Sequence, residues 1–162
     1  MSCYLDTNFL YVHLRSKPNA APTPVEDWRR AVLTQVATDG AVISALVLDE
    51  LAYRLILAWL RENGVADPLT KYRTDPEATM RAVRQRLTSI WSAVDSLALE
   101  LCPTERSVIA QAKTLMAKPG LGPRDAFHAA HALLAGCDII ASTDPAFRRV
   151  PSLRCVTPDS VS

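Results

Sequence analysis

The stretch Arg124-Asp125-Ala126-Phe127-His128-Ala129-Ala130-His131-Ala132-Leu133-Leu134-Ala135-Gly136-Cys137-Asp138-Ile139-Ile140-Ala141-Ser142-Thr143-Asp144 holds a helix and a strand in one run. Ala126 to Ala135 reads as a helix that Gly136 caps, and Asp138 to Ser142 is a short apolar run that stops at Thr143-Asp144. A helix followed by a buried strand that ends on an acid is one crossover of a parallel sheet.

Outward from that stretch the same alternation recurs. Cys3 to Leu5 is a short apolar run halted by Asp6-Thr7-Asn8, a turn-forming or helix-capping cluster, and Phe9, Leu10, Val12 and Leu14 continue at helical spacing. Lys17 to Pro24 holds three prolines and reads as a loop; Trp28, Val32, Leu33 and Val36 restore a helix that Asp39-Gly40 ends. Ala41 to Ser44 is a second buried run, and Leu46, Leu51, Leu55 and Ala58 mark a helix to about Leu60 with Glu50 in its first turns. Asn63-Gly64 and Asp67-Pro68 read as breaks, Asp75-Pro76-Glu77 as a helix restart, and Met80, Val83, Leu87, Ile90, Trp91 and Val94 as its apolar stripe, in the core or shared between subunits. Leu97, Leu99 and Leu101 alternate as in a strand, Pro103-Thr104-Glu105 opens a helix to about Ala117 that Lys118-Pro119-Gly120 ends, and Leu153 to Val156 is a last strand. This pattern predicts an α/β fold with a mainly parallel sheet covered on both faces.

The bulk numbers suit one compact domain: 162 residues, 49% hydrophobic and 22% charged. No apolar run approaches the roughly 18 to 20 residues needed to cross a bilayer; the longest, Leu51 to Leu60, is interrupted by Arg54. Met1 to Asp6 shows no basic start and apolar core of a secretory signal, so a cytoplasmic location and no membrane contact are expected. Cys3, Cys102, Cys137 and Cys155 are scattered without C-x-x-C spacing, which argues against a zinc knuckle or disulfide framework and for reduced residues packed in or beside strands. A formal net charge of +1 leaves nucleic-acid contact to local basic patches.

In open parallel sheets ligands gather outside the carboxyl ends of the strands. Asp6 and Asp144 follow strands there, Glu50 lies on the helix after the second strand, and Asp125 opens the helix before the fourth. Clustered carboxylates repel one another unless a divalent cation neutralises them, and oxygen-only ligands point to magnesium or manganese. The reaction such a centre supports is phosphodiester hydrolysis. Asp49 competes with Glu50, but consecutive helical side chains point about 100° apart, so one of the two faces the pocket, and Glu50 is chosen. Each acid also has a bland reading: Asp6 and Asp125 as helix-start residues, Glu50 as a solvated helix face, Asp144 as a turn cap with Pro145. His128 and His131 lie three apart on one helix, but without a third ligand motif a packed or exposed role is the stronger expectation. Trp28, Trp59 and Trp91 are expected in the core rather than as base-stacking platforms.

The ordered set Leu5-Asp6-Thr7-Asn8, Ser44 to Leu51 ending in Asp49-Glu50-Leu51, Arg124-Asp125-Ala126-Phe127-His128-Ala129-Ala130 and Ser142-Thr143-Asp144-Pro145-Ala146-Phe147 resembles a PIN domain over nearly the whole chain. It is most similar to the small VapC-like toxins of type II toxin-antitoxin pairs. That resemblance implies a three-layer α/β/α sandwich with a central, mainly parallel sheet of about five strands, in a single domain spanning 1–162; a helical insertion at about 63–96 departs from the smallest members of the family. It implies a magnesium- or manganese-dependent endoribonuclease whose metal-binding and catalytic acids are Asp6, Glu50, Asp125 and Asp144, steadied by Asn8 and Thr143. An antitoxin partner and a homodimer are expected on the same ground. Arg124, Arg148 and Arg149, with Arg15, stand near the acidic motifs in sequence and are candidates for RNA phosphate contacts. The alternative is a PIN-like RNA-binding or scaffold protein that has lost catalysis. A phosphatase wants a second aspartate where Asn8 stands, and a dinucleotide-binding fold wants a Gly-rich turn there; the sequence has neither.

Overall fold

The computed structural model describes residues 2–17, 21–97 and 99–160. Strand β1 (Cys3–Leu5) leads into helix α1 (Thr7–Arg15), and α2 (Pro24–Asp39) precedes β2 (Ala41–Ser44). Helices α3 (Ala45–Glu62), α4 (Pro68–Thr74) and α5 (Pro76–Asp95) separate β2 from β3 (Glu100–Cys102). Helices α6 (Arg106–Ala117) and α7 (Pro123–Leu134) come before β4 (Ile139–Ala141), a 3₁₀ turn (Pro145–Arg149), β5 (Arg154–Val156) and a closing 3₁₀ turn (Pro158–Ser160).

The five strands form one parallel sheet in the order β3-β2-β1-β4-β5, flanked by helices as an α/β/α sandwich. The inner strands β1, β2 and β4 are buried along their whole length, which explains why they read as unbroken apolar runs. The edge strands are partly exposed, at Glu100 and Leu101 of β3 and at Arg154 of β5. Because β1 pairs with β2 on one side and β4 on the other, the chain reverses its direction of travel across the sheet there. The connections leaving β1 and β4 therefore part at their carboxyl ends and open a crevice.

Small residues let α7 lie close to the sheet: Ala126, Ala129, Ala130 and Ala132 are fully buried. This helix runs back toward the start of β4, so its amino end stands at the same sheet edge as that crevice. On the far side of the core Trp28 is buried against Phe9, ring centroids 5.2 Å apart, and donates from Nε1 to the Val156 carbonyl at 2.9 Å, tying α2 to β5. Trp59 and Trp91 are partly buried against the core. All four cysteines are free and buried, and burial pushes the Cys3 thiol up to about 12 and those of Cys137 and Cys155 to about 11.

Three elements differ from the sequence pattern. Asp67-Pro68, read as a break, starts helix α4: an Asx cap with proline at the first helical position is the same start signal as at Asp75-Pro76, and Asp67 accepts from the Thr70 amide at 3.1 Å. The strand expected through Leu97, Leu99 and Leu101 is only Glu100–Cys102, at the sheet edge, with Leu101 56% exposed; Ala98 lies outside the described residues. Met80 is exposed, and the stripe that α5 buries is Val83, Leu87, Ile90 and Val94. The expected loop at Lys17 to Pro24 falls partly on residues 18–20, outside the described residues; Thr23 caps α2 and Pro24 begins it.

No helix of the described residues is long and apolar enough to cross a membrane. Ala129→Leu forces α7 off the sheet; overpacking of this kind costs about 1–3 kcal/mol, which for a chain of this length is a drop of roughly 2–12 °C in Tm by calorimetry. An unchanged Tm would mean that the alanine face does not set the helix-sheet spacing.

Candidate active site

Asp6 is the cap of α1, with extended backbone (φ −73°, ψ 158°), and its Oδ1 accepts from the Thr7 amide at 2.8 Å. It is also buried, and its Oδ2 takes hydrogen bonds from Asn8 Nδ2 at 3.0 Å and Ser142 Oγ at 2.5 Å. The capping reading and the site reading of Asp6 thus describe one side chain. Asp144 does likewise: it caps the 3₁₀ turn through Oδ1, accepting from the Ala146 amide at 2.8 Å, while its own amide donates to Ser142 Oγ at 3.0 Å. Ser142 therefore couples the ends of β1 and β4.

Glu50 sits in the second turn of α3, its side chain 13% exposed, whereas Asp49 is exposed. Thr7 Oγ1 donates to Glu50 Oε2 at 3.0 Å, and His128 Nε2 lies 3.2 Å from the same oxygen and 3.7 Å from Asp6 Oδ1. The buried His128 ring is anchored behind by Tyr4 Oη at 3.1 Å from Nδ1, and that hydroxyl lies 2.7 Å from Ser44 Oγ. Burial pushes the Glu50 carboxyl up, but the hydrogen bond and charge of His128, the Thr7 hydroxyl and the charge of Arg124 outweigh it, leaving the group below the usual glutamate range.

Asp125 lies in the first turn of α7, where the helix dipole favours a carboxylate. Gly122 caps that helix, and a Cβ there would stand 3.4 Å from Asp125 Oδ2. Among the described residues the Asp125 side chain has no hydrogen-bond donor, and its position shows in its charge state. Burial first, then the charges of Asp144 and Asp6, and finally Glu50, push its carboxyl above the usual aspartate range, against a smaller pull from His128. The charges of Asp6, Glu50 and Asp144 thus all reach Asp125 at the crevice beside β1 and β4.

The donor set suits a hard dication in kind: carboxylate oxygens with excess negative charge. Glu50 Oε1 is buried without a hydrogen-bond partner; Arg124 Nε stands 3.3 Å away, in ion-pair range but without the geometry of a hydrogen bond. Among the described residues no three His, Cys, Asp or Glu side chains already surround a single ion position, so ion binding would draw the acids inward.

The other expected residues fall in three places. Asn8 holds Asp6 and is itself held through Oδ1 by Arg54 Nη1. Thr143 is exposed, and the hydroxyl on Asp6 is that of Ser142, one residue earlier. Arg124 is 75% exposed beside Glu50; Arg148 Nη2 donates to Thr157 Oγ1 at 2.7 Å, and Arg149 donates to the carbonyls of Ala146 and Gly120. Arg15 pairs with Glu62 at 2.7 Å. Sequence reasoning missed Thr7, Ser142 and Arg54, and expected His128 to be packed or exposed rather than part of the site. Thr7 and Ser142 stand within two residues of a predicted acid, a signal that was available; the partner of His128 is 78 residues away, and no local pattern carries it.

Known proteins bear on this geometry in three ways. Among solved structures the chain is similar to VapBC2 from Rickettsia felis, crystallised bound to a DNA fragment from its promoter, at TM-score 0.61 and 19% identity, covering 96% of this chain and 97% of that one. It is also similar to FitAcB from Neisseria gonorrhoeae (TM-score 0.56, 20% identity, the same coverage) and to a toxin-antitoxin complex from Klebsiella pneumoniae (TM-score 0.54, 14% identity, the same coverage). No curated protein sequence matches it. The family model described as PIN domain matches residues 3–153, and the chain belongs to the PIN-domain family.

Proposed function

We propose that this protein is a divalent-metal-dependent endoribonuclease, with Asp6, Glu50, Asp125 and Asp144 as its catalytic and metal-holding acids. The observation that carries the reading is the convergence of these four carboxylates, from four separate segments, on the crevice beside β1 and β4, with Asp125 driven above its usual range by burial and by the other three. Asp6, Glu50, Asp125 and Asp144 would hold a magnesium or manganese ion, which would supply an activated water and a counter-charge for the leaving oxygen. The chain's own side chains do the positioning. Thr7, Asn8 and Ser142 fix the Asp6 and Glu50 carboxylates, and His128 keeps Glu50 and Asp6 facing the same space. Arg124, exposed beside Glu50, is placed to meet a phosphate of the RNA strand.

The toxin role and an antitoxin partner rest on the family and on the likeness to the toxin-antitoxin complex from Klebsiella pneumoniae, and a homodimeric toxin rests on the family resemblance alone. Expression in a bacterial host is expected to arrest growth, and co-expression of a small adjacent reading frame to relieve it.

Asp6→Asn and Asp144→Asn each lower RNA cleavage by about 100-fold or more, as expected for loss of a charged group at the reacting centre. Cleavage is measured with Mg²⁺ or Mn²⁺ and with chelator. Undiminished cleavage in the Asp6→Asn/Asp144→Asn double variant removes the assigned site.

Asp125 makes a prediction of opposite sign for stability. Its folded carboxyl holds a proton more tightly than an unfolded one, so the stability this gives is present at low pH and lost as pH rises through the folded value. At neutral pH the charge is a net cost to the metal-free fold. Asp125→Asn is therefore expected to raise the metal-free Tm at neutral pH, with the gain shrinking toward acid, and to abolish the rise that Mn²⁺ gives the unaltered protein. A lower metal-free Tm for this variant would contradict the repulsion.

A further inference from the structure

Beside the acids, α3 presents Glu50, Tyr53 and Arg54 at positions i, i+3 and i+4, hence on one face. With Asp49 and Arg124 these residues line a pocket of about 290 Å³, near the lower end of ligand-sized cavities at roughly 300 Å³. Glu50 is both the wall of this pocket and a member of the acidic centre, so whatever enters the pocket lies next to the reacting position.

The walls are held in place. The Arg54 guanidinium bonds Asn8 Oδ1 and stacks over the Tyr11 ring, 4.4 Å from its centroid. Asn8 in turn donates to Asp6, so Arg54 is linked to the acidic centre through one intervening side chain. The Tyr53 ring is braced edge-on by Tyr72 of α4, centroids 5.8 Å apart and planes at 77°. Helix α4 belongs to the segment that the sequence pattern sets apart as an insertion, and this contact ties it to the pocket.

We infer that this pocket is the subsite for the nucleotide next to the scissile phosphate, its base stacking on Tyr53 and its phosphate meeting Arg124 and Arg54. The inference rests on the ribonuclease reading above. An aromatic face with guanidinium groups at its rim is the chemistry that receives an unstacked base and its phosphate. A cationic peptide side chain is less suited to the pocket, because it would meet the Arg54 and Arg124 guanidinium groups that line it. The site therefore takes single-stranded RNA, and Tyr53 is a specificity-determining residue rather than a catalytic one.

The test uses the full chain and a fluorescein-labelled single-stranded oligoribonucleotide. Binding is followed by anisotropy in chelator, and cleavage in Mg²⁺ is resolved into kcat and KM. Tyr53→Leu is expected to raise Kd and KM roughly 5- to 100-fold with kcat within about twofold, the effect of losing one stacked base. Tyr53→Phe restores both, and the mostly exposed Arg124→Gln weakens binding without altering the fold. Unchanged Kd and KM in Tyr53→Leu, with cleavage intact, overturn the subsite and leave the ribonuclease reading standing. Binding in chelator that depends on Tyr53, with no cleavage under any divalent ion, supports the subsite and sinks the ribonuclease reading. Tyr53-dependent binding of an arginine-containing peptide, with RNA binding unaffected, makes the pocket a peptide site and overturns the inference.

Discussion

Like-charge repulsion among four carboxylates drawn to one sheet edge is the constraint to which the surrounding structure responds. The sheet order brings it about: with β1 between β2 and β4, the residues that end β1 and β4 meet in one crevice. Burial makes it severe, because a carboxylate removed from water needs donors or cations in exchange. Three of the acids have donors of their own. Asp6 takes the Thr7 amide, Asn8 and Ser142; Glu50 takes Thr7 and His128; Asp144 takes the Ala146 amide. The unrelieved charge is left on Asp125, the member at the open mouth of α7. Donors are fewest at Asp125 and at the unpartnered Glu50 Oε1, so the proposed metal ion would relieve the most charge there.

His128 shows how a buried ring serves this arrangement without acting as a ligand. Its Nε2 faces Glu50 and Asp6, and its Nδ1 rests on the Tyr4 hydroxyl, which lies next to Ser44. Tyr4 comes from β1, Ser44 from the end of β2 and His128 from α7, so one hydrogen-bonded chain links β1, which Asp6 follows, and β2, which leads into the helix of Glu50, to the helix of Asp125. Burial pushes the Tyr4 hydroxyl upward, so it serves as a neutral bridge. The alanines around His128 allow the helix to come close enough for this contact.

The parts of this structure that were legible in the sequence are those coded locally. Buried parallel strands appear as short apolar runs because both faces are covered, and Asp6, Asp125 and Asp144 announce themselves by standing next to such runs or at a helix start. Glu50 could be preferred to Asp49 only by family pattern; the distinction depends on how α3 rolls against α1, a tertiary fact that Thr7 and His128 report. Helix α4 was hidden because Asp-Pro both ends one segment and begins the next, and its first turn has no apolar periodicity to decide between them. The edge strand β3 was drawn too long for a related reason. Alternating leucines look like a half-buried strand, yet pairing with β2 covers only Val42 to Ser44 opposite Glu100 to Cys102.

Charge placement decides how such a site can meet RNA. With a net charge of +1 the chain has no broad field, and the arginines after Asp144 are already bonded within the fold. Arg148 reaches Thr157 beyond β5, and Arg149 joins the turn carrying Asp144 to the loop that leads into Asp125, through the Gly120 carbonyl. A phosphate at either arginine competes with those bonds and would loosen the turn that aims Asp144. Arg124 carries no such obligation to the backbone: its partner is the Glu50 carboxylate, whose charge a bound cation would offset. In the proposed ribonuclease, cation and phosphate would therefore favour one another across Glu50, since each would weaken the ion pair that holds Arg124.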